Sequence, residues 1–271
     1  MTETTKVAVV TGGSAGIGEA CARALAADGW KVYVAARRVE RCQAIAEEIG
    51  GVAVRLDVTD EASVAELASI IEGPVGLLVN NAGGAKGLDL LRDANPADWQ
   101  WMYETNVLGT MRVTKALYPH LLEASGLVVN IGSVAATDAY KGGSGYNAAK
   151  YGLRGITRAL RREEAENNIR VTEIDPGRVK TDFSLNRFAG DAERAYAVYE
   201  GKLNLTAEDI AEAVRWVPST FVSYIHCQSA GFASRSRSRP FAPPALFTSS
   251  STGPSIIDAN SPTLTSSVTS R

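Results

Sequence analysis

Residues 6–29 read KVAVVTGGSAGIGEACARALAADG. Lys6 to Thr11 is short, β-branched and almost wholly apolar, the pattern of a parallel strand covered on both faces. It breaks into Gly12-Gly13-Ser14-Ala15-Gly16-Ile17-Gly18, and EACARALAADG then reads as a helix ending at Gly29. Gly12 permits a tight turn, Gly16 lets a pyrophosphate approach the backbone, and Gly18 lets the helix pack on a sheet. Bare amides and the positive end of a helix dipole then face a phosphate. Many βα turns hold glycines for steric reasons alone. The strand before and the helix after supply the context that points to dinucleotide binding.

Moving outward, Lys31 to Arg37 is a second strand, ending Ala35-Ala36 and running into Arg37-Arg38. A dinucleotide site often places a carboxylate about twenty residues beyond the glycines, to hold a ribose 2′-hydroxyl. None stands there, and two guanidiniums are available for a 2′-phosphate, which predicts NADP(H) over NAD(H). The alternative is a solvated arginine pair at a helix start, where cations gain nothing from the dipole. VERCQAIAEEIG is an amphipathic helix, and GVAVRLDVTD is a third strand ending at Asp57-Val58. Those two residues either contact an adenine or turn the chain, and Asp60 caps the next helix. Val75 to Asn80 is a fourth strand, followed by Asn81-Ala82-Gly83-Gly84. Ligands bind outside the carboxyl ends of parallel strands, where this segment falls. Pro96 to about Pro119 reads as one long helix, in which Asn106 has poor propensity and so a polar task.

GLVVNIGS, a buried strand, ends at Ser133, and Tyr146 to Lys150 opens the helical run YNAAKYGLRGITRALRREEAE. Tyr146 and Lys150, four apart, share one helix face. An ammonium beside a phenol favours the phenolate, bringing a group with an ordinary pKa near 10 toward neutral exchange, as acid–base catalysis requires. Ser133 adds a hydroxyl for the same reacting oxygen. In isolation such a pair also arises on surface helices by chance.

Composition bounds the function classes. The 271 residues are 45% hydrophobic and 21% charged, with a net charge of -2, ordinary values for a globular chain that buries a substantial core. No basic field recruits nucleic acid or anionic membrane. Cys21, Cys42 and Cys227 stand singly, so neither a disulfide framework nor a zinc site is expected, and a reducing cytoplasm fits. His120 and His226 lie in no ligand cluster, so no metal is expected. MTETTKVAVV meets glycines too soon for a signal peptide, and no apolar run of about 20 residues is present.

Taken in order, Thr11-Gly12-x3-Gly16-x-Gly18, Asp57-Val58, Asn80-Asn81-Ala82-Gly83, Asn106, Ser133, Tyr146-x3-Lys150 and Pro176-Gly177 resemble a short-chain dehydrogenase/reductase from residue 6 to about 217. The strand–helix alternation independently predicts an α/β fold: a Rossmann-type doubly wound parallel sheet flanked by helices. The resemblance implies that Tyr146 exchanges a proton with the substrate oxygen and that Ser133 orients it. Lys150 would lower the tyrosine's pKa and hold the nicotinamide ribose, and Asn106 would bind a water of the proton relay. Cofactor contacts would come from Gly12, Ser14, Gly16, Ile17, Gly18, Arg37, Arg38, Asp57, Val58, Asn81, Ala82, Gly83, Tyr146 and Lys150. Pro176, Gly177 and Val179 would line the carboxamide side, with Thr181 near the pyrophosphate. Residues 182–205 would form a substrate lid.

EIDPGRVKTDFSLNRFAGD and LTAEDIAEAVRWV further resemble the branch acting on 3-hydroxy acids such as serine and 3-hydroxypropionate. Arg187, with Arg178 second, is then the candidate partner of a substrate carboxylate; both also read as lid-surface arginines. The implied function is an NADP(H)-dependent oxidoreductase on a small hydroxy acid or its carbonyl form. The alternatives are a reductase of another ketone or aldehyde, or a dinucleotide-binding protein without turnover.

The last segment departs from the family. Residues 1–217 read as the oxidoreductase domain, whereas 218–271 shift to Ser, Thr, Pro and Arg without periodicity and are expected to be largely disordered. A frame change replacing the native end explains this, as does an appended tail, whose SRSRSR would touch an acidic partner only weakly. The seventh strand is therefore expected to be lost or altered, with FVSYIHC (221–227) as a makeshift edge strand. Of two oligomer interfaces usual in the family, the one on the long helices should survive, giving a homodimer, with a tetramer doubtful.

Overall fold

The computed structural model describes residues 6–219 and 226–228. By contacts the chain divides into Met1–Ala233 and Ser234–Arg271, and every described residue belongs to the first unit. The disorder expected of 218–271 thus falls mostly outside the described residues.

Strands β1 (Val7–Thr11), β2 (Lys31–Ala36), β3 (Val52–Arg55), β4 (Leu77–Asn80), β5 (Leu127–Ile131), β6 (Arg170–Asp175) and β7 (His226–Gln228) form one parallel sheet, ordered β3-β2-β1-β4-β5-β6-β7. Register is fixed by apolar pairs such as Val9 with Tyr33 on one side and Leu78 on the other. The continuous apolar runs seen in sequence follow from burial on both faces. Along β1, Ala8 and Val10 pack into one core with Leu25 and Ile210, while Val7 and Val9 pack into the other with Leu67 and Leu121. Each fully buried leucine contributes on the order of 1.5–3 kcal/mol. Among the described residues β7 pairs three with β6, from Glu173↔His226 to Asp175↔Gln228, and it lies partly within the segment expected to pair.

The helices are α1 (Gly16–Ala27), α2 (Val39–Ile49), α3 (Glu61–Ile70), α4 (Pro96–Tyr103), α5 (Gly109–Ala116), α6 (Tyr118–Ala124), α7 (Ser144–Glu163), α8 (Phe183–Arg187), α9 (Ala192–Ala197) and α10 (Ala207–Trp216). Their starts carry the expected chemistry. Asp60 accepts from the Ala62 amide, Asn95 caps α4 ahead of Pro96, and Thr206 and Asp209 form a capping box on α10. No side chain caps α1, which begins at the glycine loop.

The helix expected over 96–119 is instead three helices. A π-turn at Glu104–Leu108 separates α4 from α5, and α6 restarts at Tyr118 ahead of Pro119. Asn106 supplies the reason for the π-turn: its Nδ2 donates to the Met102 carbonyl at 2.7 Å, taking an acceptor from the helical ladder.

β4, β5 and α7 are joined through a buried polar chain. Asn80 Nδ2 donates to Thr114 Oγ1 at 3.0 Å and to Asn130 Oδ1 at 2.9 Å, and Asn130 Nδ2 donates to Thr157 Oγ1 at 2.8 Å. Replacing the middle member strands its neighbours in a dry interior. Asn130→Leu is therefore expected to cost about 1–3 kcal/mol in urea unfolding; a change within about 0.5 kcal/mol would show the chain to be dispensable.

Candidate active site

The sheet order reverses between β1 and β4, which opens a crevice at their carboxyl ends. A cleft of about 950 Å³ fills it, and every candidate catalytic, cofactor-binding or substrate residue except Gly18 and Asn106 lines its wall.

At one end lies the glycine loop. Gly12 and Gly16 have φ of +65° and +56°, the left-handed region that favours glycine. A Cβ on Gly12 would sit 2.8 Å from Asn81 Nδ2, and one on Gly16 3.2 Å from Thr181 Cγ2. A Cβ on Gly18 would collide with the Gly12 carbonyl oxygen, so Gly18 shapes the loop from behind. Asn81 Nδ2 donates to the carbonyls of Thr11 and Gly12 at 3.0 and 3.2 Å. Thr11 Oγ1 in turn accepts from the amides of Asn81 and Ala82, both at 3.0 Å. Asn81 is thus a brace of the loop as well as part of the wall.

Arg37 and Arg38 stand exposed at the end of β2, with Arg38 Nε donating to Ser14 Oγ at 3.3 Å. Asp57 lies nearby. Its burial favours the neutral acid, but bonds from the Thr59 amide and hydroxyl, with Arg37 and Arg55, outweigh this and hold its pKa below the ordinary value.

At the other end Ser133, Tyr146 and Lys150 converge. Ser133, nearly buried, has extended backbone after β5; its Oγ accepts from the Ala135 amide at 3.1 Å. The Ser133 side chain faces the Tyr146 phenol and favours its ionised form. Phe183 of α8 packs edge-on against the Tyr146 ring, with centroids 5.6 Å apart. Lys150 Nζ donates to the Ile131 carbonyl at 2.9 Å and lies 5.8 Å from the Tyr146 ring centre.

The depressed phenol pKa expected from Lys150 is not what this arrangement produces. Burial pushes the Tyr146 phenol well above its ordinary value, and the Ser133 side chain and the Arg187 charge offset only part of that. Burial also pushes Lys150 down to about 8, against the pull of Glu173 and Asp175.

Arg187 of α8 closes the top. Its Nε donates to the Gly87 carbonyl at 2.7 Å and its Nη1 to Tyr140 Oη at 2.8 Å, while its guanidinium carbon lies 5.8 Å from the Tyr146 ring centre. Arg178 lines the same cleft. Asn106 lies behind the wall, with Nδ2 donating to the Gly84 carbonyl at 2.9 Å and Oδ1 accepting from the Gly84 amide at 3.2 Å. Its side-chain amide is committed to backbone, anchoring the loop after β4.

Sequence reasoning missed Tyr140, which lies in an irregular stretch between β5 and α7 with no period to mark it. It also missed the buried partners Arg154 and Glu173. Two carboxylates at alternate positions of the strand RVTEID, and so on one of its faces, were the available signal for Glu173. Among the described residues no three His, Cys, Asp or Glu side chains converge as a metal site requires, and no helix is long and apolar enough to cross a membrane.

The sequence and the fold have counterparts among known proteins. A family profile described as short chain dehydrogenase matches residues 6–192. An uncharacterized oxidoreductase of Mycobacterium tuberculosis is 53% identical over 213 residues, covering 78% of this chain and 84% of the relative. An NADP-dependent 3-hydroxy acid dehydrogenase of Salmonella typhimurium is 40% identical over 218 residues, covering 78% and 88%. The closed form of a serine dehydrogenase complexed with NADP+ superposes with a TM-score of 0.77 at 37% identity, covering 81% of this chain and 91% of that one. With its sheet order, glycine crevice and Ser–Tyr–Lys wall, this chain belongs to the short-chain dehydrogenase family of oxidoreductases.

Proposed function

We propose that this chain is an NADP(H)-dependent dehydrogenase of small hydroxy acids, interconverting a 3-hydroxy acid such as serine or 3-hydroxypropionate with its carbonyl form. The observation that carries the reading is that Ser133, Tyr146, Lys150 and Arg187 line one cleft, with the Arg187 guanidinium carbon 5.8 Å from the Tyr146 ring centre. Relatives named for 3-hydroxy acid and serine dehydrogenation support the substrate class.

The residues present fit the dinucleotide. Glycines with left-handed backbone leave a cradle that a Cβ would fill, beside the uncapped start of α1. Gly12, Ser14, Gly16, Ile17 and Gly18 shape the pyrophosphate pocket, and Thr181 stands against Gly16. Arg37 and Arg38 receive the 2′-phosphate, and Asp57 and Val58 border the adenine. Asn81, Ala82 and Gly83 form the middle of the groove. Tyr146 and Lys150 hold the nicotinamide ribose, and Pro176, Gly177 and Val179 line the carboxamide side. When bound, the nicotinamide supplies or accepts the hydride.

The protein's part is placement and proton exchange. Tyr146, kept protonated by burial, would donate its hydroxyl proton to the substrate oxygen in reduction, leaving a phenolate near the Lys150 ammonium. In oxidation that phenolate would take the proton from the alcohol. Ser133 orients that oxygen. Lys150, poised near 8, remains cationic at neutral pH beside the ribose. Arg187 spends Nε and one Nη1 hydrogen on Gly87 and Tyr140, which leaves the Nη2 edge for a carboxylate. Arg178 is the second candidate for that contact. Asn106 acts by anchoring the Gly83–Gly84 wall. Tyr103 of α4, Met111 of α5 and Tyr151 of α7 are exposed, which supports a homodimer paired through these helices.

Oxidation of serine and 3-hydroxypropionate with NADP+ should exceed that of simple alcohols. Tyr146→Phe should lower kcat by on the order of 10²–10⁴-fold while leaving NADPH affinity, read by fluorescence titration, nearly unchanged. Undiminished turnover in that variant would refute the assigned acid. Arg37→Ala with Arg38→Ala should weaken NADPH at least about tenfold and NADH hardly at all; equal losses would remove the 2′-phosphate contact. Light scattering should return a dimer mass, and a stable tetramer would contradict the single helical interface.

A further inference from the structure

Arg154 stands on α7 four residues beyond Lys150 and eight beyond Tyr146, so the three side chains follow one helix face. It is only 7% exposed, and a guanidinium is rarely so buried without partners. Its Nε donates to Glu173 Oε1 at 3.3 Å, its Nη2 to Asp175 Oδ2, and its Nη1 to the Ala136 carbonyl at 3.2 Å. The other Asp175 oxygen, Oδ1, accepts from the Ser133 amide at 3.0 Å. One cation thus ties α7, the end of β6 and the turn Val134–Ala136, the three segments that meet around Ser133 and Tyr146. Gly132 shows how closely they meet, since a Cβ there would collide with both carboxylates. None of Arg154, Glu173 and Asp175 lines the cleft, so none is placed to touch a ligand.

The same group governs local charge. Lys150 is faced by Tyr146 and Arg154 from its own helix and by Glu173 and Asp175 from β6, with Arg187 and Tyr140 beyond the Tyr146 ring. Burial pushes Glu173 up to about 7, helped by its hydrogen bond and repulsion with Asp175 and opposed by Arg154. Glu173 and Asp175 both favour the Lys150 ammonium, against the burial that disfavours it.

We propose that Arg154, Glu173 and Asp175 form a buried positioning unit that sets Ser133 against Tyr146 and retains the positive charge on Lys150. It rests on the catalytic reading of those three residues. The decisive measurement needs no turnover: the titration midpoint of the Lys150 side chain in the full-length protein, followed by ¹³C NMR of labelled lysine and assigned with Lys150→Arg. Glu173→Gln keeps the shape and removes the charge, so the midpoint should fall by about one pH unit, a shift that mere packing would not produce. NADPH affinity should stay within about twofold, and the corresponding limb of the kcat–pH profile should move the same way. Arg154→Met should lower kcat about 10²-fold, and Arg154→Lys should recover part of it. A Lys150 midpoint unmoved in Glu173→Gln would overturn the proposal, even if Arg154→Met does not fold. A wild-type protein inert toward every hydroxy acid, with the midpoint still shifting, would instead sink the substrate reading and leave the charge coupling standing.

Discussion

Two short polar side chains, Thr11 and Asn81, fasten the carboxyl ends of β1 and β4, and the whole crevice depends on that fastening. Parallel strands that diverge at a switch point leave their terminal amides and carbonyls unpaired, an expensive state for backbone at the edge of a core. Thr11 Oγ1 and the Asn81 amide satisfy those groups across the split. In doing so they hold the Gly12 turn against the Asn81–Gly84 segment. Gly12 and Gly18 are confined by this closeness, because a side chain at either would displace the brace or the loop.

The half of the sheet beyond β4 is built differently from the half before it. Around β1 and β2 the interior is apolar on both faces, with Tyr33 its one buried ring. Around β5 and β6 it holds Asn80, Asn130 and Thr157, and then Arg154, Glu173 and Asp175. Buried ion pairs are poor stabilisers, since desolvation offsets most of their attraction, and apolar replacements of similar volume often do as well. Their value on the proposed reading is directional: a forked guanidinium fixes where three backbone segments stand, which a leucine does not.

Much of this was legible from local pattern. The β1–loop–α1 unit, the apolar strands and the helix caps announce themselves because each is decided by neighbours within a few residues. The π-turn was not legible, because it arises when Asn106 reaches back to Met102 and across to Gly84, a contact 22 positions away in sequence. The high phenol pKa of Tyr146 escaped for a related reason. Spacing shows that Lys150 shares its face, but only packing shows how dry both groups are and that Ile131 holds the ammonium. Tyr140 and Arg154 likewise gain their meaning from segments far along the chain, namely α8 and β6.

The triple attachment of Arg187 has a thermodynamic corollary. Its charge eases ionisation of the Tyr146 phenol, and its grip on Gly87 and Tyr140 keeps α8 seated. By linkage the charge of the phenol and the seating of α8 are coupled through opposing parts: α8 brings a cation that favours the phenolate and, in Phe183, some of the packing that disfavours it. Proton affinity and access to the cleft therefore cannot be tuned separately in this protein.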